Sequence, residues 1–185
     1  MISKEADFDT LHNIIPGKHF YQFYRNAEDY LRVILPYFKA GILKGEACLW
    51  VVSQRIGVER VSQAAAQAGL AFQEALRTRQ LSVLPSETWY LRQGLFDEEQ
   101  AIANAKKFYQ DILVRGFKTL RGGGDAPVLG HSEWQKLHDY EAKICGFIQA
   151  RSIIALCAYP IFDCHIGDTK AILANHDEAL IGHLA

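Results

Sequence analysis

A three-layer α/β domain, with helices on both faces of a mainly parallel sheet, is the fold class that this sequence predicts, and three observations carry it. Apolar runs of strand length alternate with segments of helical period along the chain. The run ACLWVVS, residues 47–53, is apolar almost throughout, the pattern of a parallel strand covered on both faces. The chain has 185 residues, 49% of them hydrophobic and 22% charged, enough to bury one core and too few for two.

The elements follow in order. After a loose start, which makes residues 1–17 an N-terminal extension to a single domain over 18–185, the aromatic and roughly alternating KHFYQFY predicts a strand at 18–24. Asn26 with Asp29 caps a helix carrying Tyr30, Leu31, Ile34, Leu35 and Phe38, kinked near Pro36 and ended by Gly41. The strand 47–53 is followed by a helix at 58–68, stopped by Gly69, and by a strand at 81–85, LSVLP. Asp97 with Gln100 caps a third helix running to Arg115, with Gly116 as its stop. GFKTLRGGGDAP supplies a strand at 117–120 and then a glycine-rich turn; Ser132 with Gln135 marks a fourth helix; SIIALCAYP, residues 152–160, is another buried strand. Short helical segments at 168–174 and 176–181 close the chain, with no internal repeat or low-complexity linker.

Charge and composition exclude several functions. Twenty Lys plus Arg against twenty-one Asp plus Glu leave no basic footprint for nucleic acid. The polar N-terminus and the lack of a long apolar run predict a cytoplasmic protein without a membrane anchor. Cys48, Cys145, Cys157 and Cys164 form no C-x-x-C pair and sit mostly in apolar segments, which suits reduced, buried thiols.

Parallel α/β sheets bind ligands beyond the carboxyl ends of their strands, which nominates the loops SQRIG, PSETWY, RGGGD and CAYPIFDCH. The first stands where a phosphate loop would, yet SQRIGVERV has neither the glycines nor the Lys and hydroxyl pair that a nucleotide and its magnesium require. In RGGGD, Arg121 and Asp125 flank glycines that either approach a ligand or make a mobile turn. Glu141 falls at helical spacing with Leu137, Ile144 and Ile148, so its carboxylate lies in an apolar stripe and must be paired, hydrogen-bonded or protonated; Arg121 is the expected partner. Asp163, Cys164 and His165 stand in immediate succession, unlike a zinc-ligand pair, and no metal or cofactor is expected. His19, among Phe20, Tyr21, Phe23 and Tyr24, belongs either to an aromatic core or to a pocket mouth.

The segments HFYQFYRNAEDYLRVILPYFKAGILKGEACLWVVS, GLFDEEQAI, GFKTLRGGGD, DYEAKI, IIALCAYP and NHDEAL, in this order, resemble the MEDS domain, the sensory domain named for methanogen and methylotroph regulators and the dichloromethane-responsive repressor. The resemblance implies a RecA-fold relative of the KaiC-type ATPases whose phosphate loop has been lost. It also implies a signal-input role for small hydrocarbon derivatives, with histidine kinases or transcription regulators as outputs. The polar positions of its motifs fall on His19, Tyr24, Glu46, Arg121, Asp125, Tyr140, Glu141, Cys157, Tyr159 and His176. One departure is APVLGH after the Gly-Asp, where related sequences carry an aromatic residue.

The reading is a non-catalytic sensor whose ligand site draws on His19, Tyr24, Arg121, Asp125, Glu141, Cys157 and Tyr159, near the carboxyl ends of the strands. Output passes to a partner protein in trans or through self-association into a homo-oligomer. A nucleotide-binding protein with an altered phosphate loop is the alternative, and a small enzyme using Cys157 or Glu141 is a third.

Overall fold

The structure, a computed structural model, describes residues 3–5 and 7–181. In chain order its elements are β1 (Ser3–Glu5), α1 (Phe8–His12), β2 (Lys18–Tyr24), α2 (Ala27–Leu43), β3 (Ala47–Val52), α3 (Val58–Gln67), α4 (Leu70–Arg77), β4 (Leu81–Pro85) and α5 (Ser86–Tyr90). They continue with β5 (Leu91–Arg92), β6 (Leu95–Phe96), α6 (Glu98–Val114), β7 (Leu120–Asp125), a 3-10 turn (His131–Glu133), α7 (Trp134–Gln149), β8 (Ile153–Pro160), α8 (Ile166–Asn175) and β9 (Glu178–Ile181).

Seven strands form one sheet in the order β1-β9-β2-β8-β7-β3-β4, and every neighbouring pair runs parallel. The short pair β5 and β6 is a separate antiparallel ribbon. Alternation along each strand sends side chains to two cores. Phe20, Trp50, Ile154 and Leu156 pack with residues of α1 to α4; Leu49, Val51, Ile153 and Tyr159 pack with residues of α5 to α8. This is the three-layer arrangement expected from the alternation of strand and helix. No helix among the described residues is long and apolar enough to cross a membrane.

Several local expectations are corrected. The helix expected to end at Gly41 runs through both Pro36 and Gly41 to Leu43. Proline loses only one main-chain hydrogen bond there, while burial of Tyr30, Val33, Ile34, Tyr37 and Phe38 holds the helix. Gly41 is needed inside the helix, because a Cβ there would lie 2.6 Å from Arg121 Cδ. The glycine triplet is strand, not turn, and the strand expected at 117–120 begins only at Leu120. Each glycine has its own steric reason. A Cβ on Gly123 would press on Ile34, Tyr37 and Phe38 at 3.1 to 3.2 Å, one on Gly124 would strike Val51 O at 2.1 Å, and one on Gly122 would meet only open space.

Segment 176–181, read as helical, instead holds the strand β9, and α4 lies where no helix was expected. The fourth helix starts at Trp134, not directly from a Ser132 cap, because residues 131–133 form a 3-10 turn. Before Lys18, β1 extends the sheet by pairing with β9, and Leu11 of α1 is completely buried. All four cysteines are free thiols.

Candidate functional site

Register decides which polar side chains meet. His19 pairs with Ala155 and Tyr21 with Cys157 across β2 and β8, so His19, Cys157 and Tyr159 share the face that α7 covers. Glu141, on the apolar stripe of α7, drops onto that face and is 2% exposed. His176, at the C-terminal end of α8, packs its ring against that of His19, tilted by 34° with centroids 3.9 Å apart. A reciprocal clamp fixes this geometry: the His19 N–H donates to Asp177 Oδ2 at 2.8 Å, and the Asp177 N–H donates to His19 O at 2.7 Å.

Within the cluster Tyr159 donates its hydroxyl hydrogen to Glu141 Oε1 at 2.7 Å. Glu141 Oε2 lies 3.5 Å from His19 Nε2, 3.8 Å from His176 Nε2 and 3.8 Å from Cys157 Sγ, and His19 Nε2 lies 3.3 Å from Cys157 Sγ. Burial pushes the Glu141 carboxyl up to about 7, against hydrogen bonds from Tyr159 and Cys157 that favour the anion. Burial, and then His176 beside it, hold the His19 imidazole well below its ordinary range, and burial brings His176 down to about 4. Burial, and then the neighbouring carboxylate, raise the Cys157 thiol. The close histidine–carboxylate approaches are therefore contacts to neutral rings, not ion pairs.

Beside this cluster is a cavity of about 80 Å³ between the sheet and α7. Its floor is Leu49, Val51, Ala155 and the stretch 122–124, its roof is Tyr140, Ile144 and Phe147 of α7, and Trp89 and Tyr90 of α5 close one side. His19 and Cys157 are its polar wall. Gly122 keeps this space open, since any side chain there would project into it.

The other expected site residues lie on the opposite face. Arg121 does not pair with Glu141: it donates Nε to Glu46 Oε2 at 2.5 Å, reaches Leu11 O and Tyr37 O with Nη1, and stacks over the Tyr37 ring. The reason is parity, because Arg121 and Cys157 belong to positions of β7 and β8 that face opposite ways. Asp125, at the carboxyl end of β7, accepts from the Ser53 N–H at 2.9 Å, from the Ser53 hydroxyl, and from the Tyr24 hydroxyl at 3.2 Å. Burial pushes its carboxyl up to about 6. In the same loop the Gln54 N–H donates to Glu87, and Arg55 pairs with Asp163. The main-chain donors at Ser53 and Gln54 thus already face carboxylates.

The expected set therefore divides: His19, Glu141, Cys157 and Tyr159 come together, Tyr24 and Asp125 form a second group, and Arg121 belongs to a third with Glu46. His176 and Glu46 complete two of these groups. Both stand among the polar motif positions, but nothing in their spacing tells which partner each one meets.

The family described as MEDS, "MEthanogen/methylotroph, DcmR Sensory domain", matches residues 18–177, and the chain belongs to that family. No curated protein matches it. Among solved structures, the crystal structure of the RadB recombinase superposes with a TM-score of 0.52 at 18% identity, over 86% of this chain and 69% of that one. That likeness makes the fold RecA-like.

Proposed function

We propose that this member of a sensory-domain family binds a small, mainly apolar molecule, of the hydrocarbon-derivative class, in the cavity beneath α7, and passes the signal to a partner protein in the cytoplasm. The observation that carries the reading is a cavity of about 80 Å³ with apolar floor and roof and a single polar wall of His19 and Cys157. Ligand sites have this make-up, apolar surface for affinity and a few polar groups for orientation. The volume exceeds several-fold the roughly 10–15 Å³ that one water occupies, which suits a molecule of few heavy atoms. The chain acts without catalysis, and a histidine kinase or transcription regulator in trans, or self-association, supplies the output.

The nucleotide alternative meets a physical obstacle. A phosphate entering the loop after β3 would face Asp125, Glu87 and Asp163, which already hold that loop's donors and its arginine.

Native mass spectrometry of protein from its source, followed by thermal shift with short-chain hydrocarbon derivatives, tests the reading. The expected result is a retained small apolar molecule, or a melting temperature that rises with ligand concentration as selective binding to the native state requires. Gly122→Val, which fills the cavity and removes no polar group, should abolish either response. Saturable magnesium-dependent ATP binding, or a ligand response unchanged in Gly122→Val, would overturn it.

A further inference from the structure

We propose that His19, Glu141, Cys157 and His176 bind one four-coordinate transition-metal ion of borderline softness, of which zinc is the type, at the polar wall of the cavity. The proposal deepens the sensory reading by adding an ion to the same site.

Four ligand atoms, two imidazole nitrogens, a sulfur and a carboxylate oxygen, all lie within 4.8 Å of one another. A tetrahedral ion with bonds of 2.0 to 2.3 Å sets its ligands apart by about 3.3 to 3.8 Å. Four of the six separations here are 3.3, 3.5, 3.8 and 3.8 Å. The donor set suits zinc and its neighbours better than calcium or magnesium, which take oxygen ligands.

Hydrogen positions point the same way. His19 donates its Nδ1 hydrogen to Asn175 O at 3.2 Å, and His176 donates its own to Ile172 O at 2.7 Å. Both rings therefore aim the Nε2 lone pair at the centre, the support that metal-binding imidazoles use. The polar partner of His176 Nε2 is the Tyr159 hydroxyl at a long 3.5 Å, which also approaches Glu141 Oε1 at 2.7 Å, and Glu141 Oε2 is 3.8 Å away. That contact is at the limit of hydrogen-bond length, and a cation at the centre would engage the lone pair fully. Tyr159 on Glu141 Oε1 and the clamp from Asp177 complete the supporting groups. The signal was hidden in the sequence because the four residues come from β2, α7, β8 and the end of α8.

The test is a cobalt titration of the full chain, purified with reductant, stripped with chelator and free of any organic ligand. One Co²⁺ per chain should give the strong visible absorption of a four-coordinate ion together with a thiolate-to-cobalt charge-transfer band, and Zn²⁺ should bleach both. Cys157→Ser should lose the charge-transfer band, while Cys145→Ser keeps it. His176→Ala should weaken binding by more than the roughly 10- to 100-fold that loss of a supporting group costs. The wild-type spectrum decides even if a variant fails to fold: its absence overturns the proposal, as does a charge-transfer band that survives Cys157→Ser in folded protein. Gly122→Val should keep the cobalt spectrum, so failure of the ion and failure of the cavity reading are separately visible.

Discussion

On the face of the sheet that α2 covers, Arg121 meets Glu46 and is wedged against Gly41 and the Tyr37 ring; on the face that α7 covers, Glu141 meets two neutral imidazoles, a thiol and a phenol. The first is an opposite-charge pair closed in by packing. The second gathers lone pairs around a common centre beside open volume. Both are buried, and burial alone would have ranked them together. The difference teaches that a buried polar group is read from what its partners can donate. In the first group the carboxylate faces a permanent cation, whereas in the second it faces two neutral donors, the Tyr159 hydroxyl and the Cys157 thiol, beside two imidazole lone pairs.

The largest effect should come from breaking the first group. Glu46→Gln leaves the buried Arg121 guanidinium without its anion and should cost about 3 to 5 kcal/mol in urea unfolding, with the cobalt spectrum of the folded fraction unchanged. Loss of that spectrum in folded protein would mean the two faces are one system. A smaller effect concerns Asp125, also on the α2 side. Its carboxyl titrates at about 6 in the fold against 3.8 as its ordinary value, so the native state holds the proton more tightly. Its contribution is complete below pH 3.8 and disappears as pH rises through about 6, with a slope of at most about 1.4 kcal/mol per pH unit. Other groups superpose their own slopes, so the wild-type curve minus that of Asp125→Asn isolates this one; parallel curves between pH 4 and 6 would show that the carboxyl is not held protonated. The smallest change in stability is expected at Tyr159→Phe, about 0.5 to 1.5 kcal/mol for one hydrogen bond. It should nevertheless weaken cobalt binding roughly 10- to 100-fold by releasing the Glu141 carboxylate. A stability loss with no change in affinity would make Tyr159 part of the packing only.

Much of this was legible in the chain. The strands at 18–24 and 81–85, the caps at Asn26 and Asp97 and the sheet class follow from periodicity and short-range chemistry. RGGGD reads as a turn because local preference makes three glycines one, while in the fold each is demanded or permitted by a different neighbour, α2, β3 or the cavity. The pairing of Glu141 failed for a similar reason. Helical spacing shows that its carboxylate is buried, but its partner depends on which way residue 121 faces in a strand whose register is set by β3 and β8. The sequence marks His19, Glu141, Cys157 and Tyr159 as polar positions in apolar or aromatic surroundings, but it does not show that His176 closes the group while Arg121 and Asp125 stand apart from it.

The two-way clamp between residues 19 and 177 joins positions 158 apart in the chain. Contacts of such separation form only after the long intervening segment has closed, so they come late in folding. Of the four ligand residues only His19 is remote in the chain, since Glu141, Cys157 and His176 follow one another at intervals of 16 and 19 residues. The four-ligand site is complete only once β2 has joined the sheet beside β8, so an ion held by all four slows escape from that finished frame.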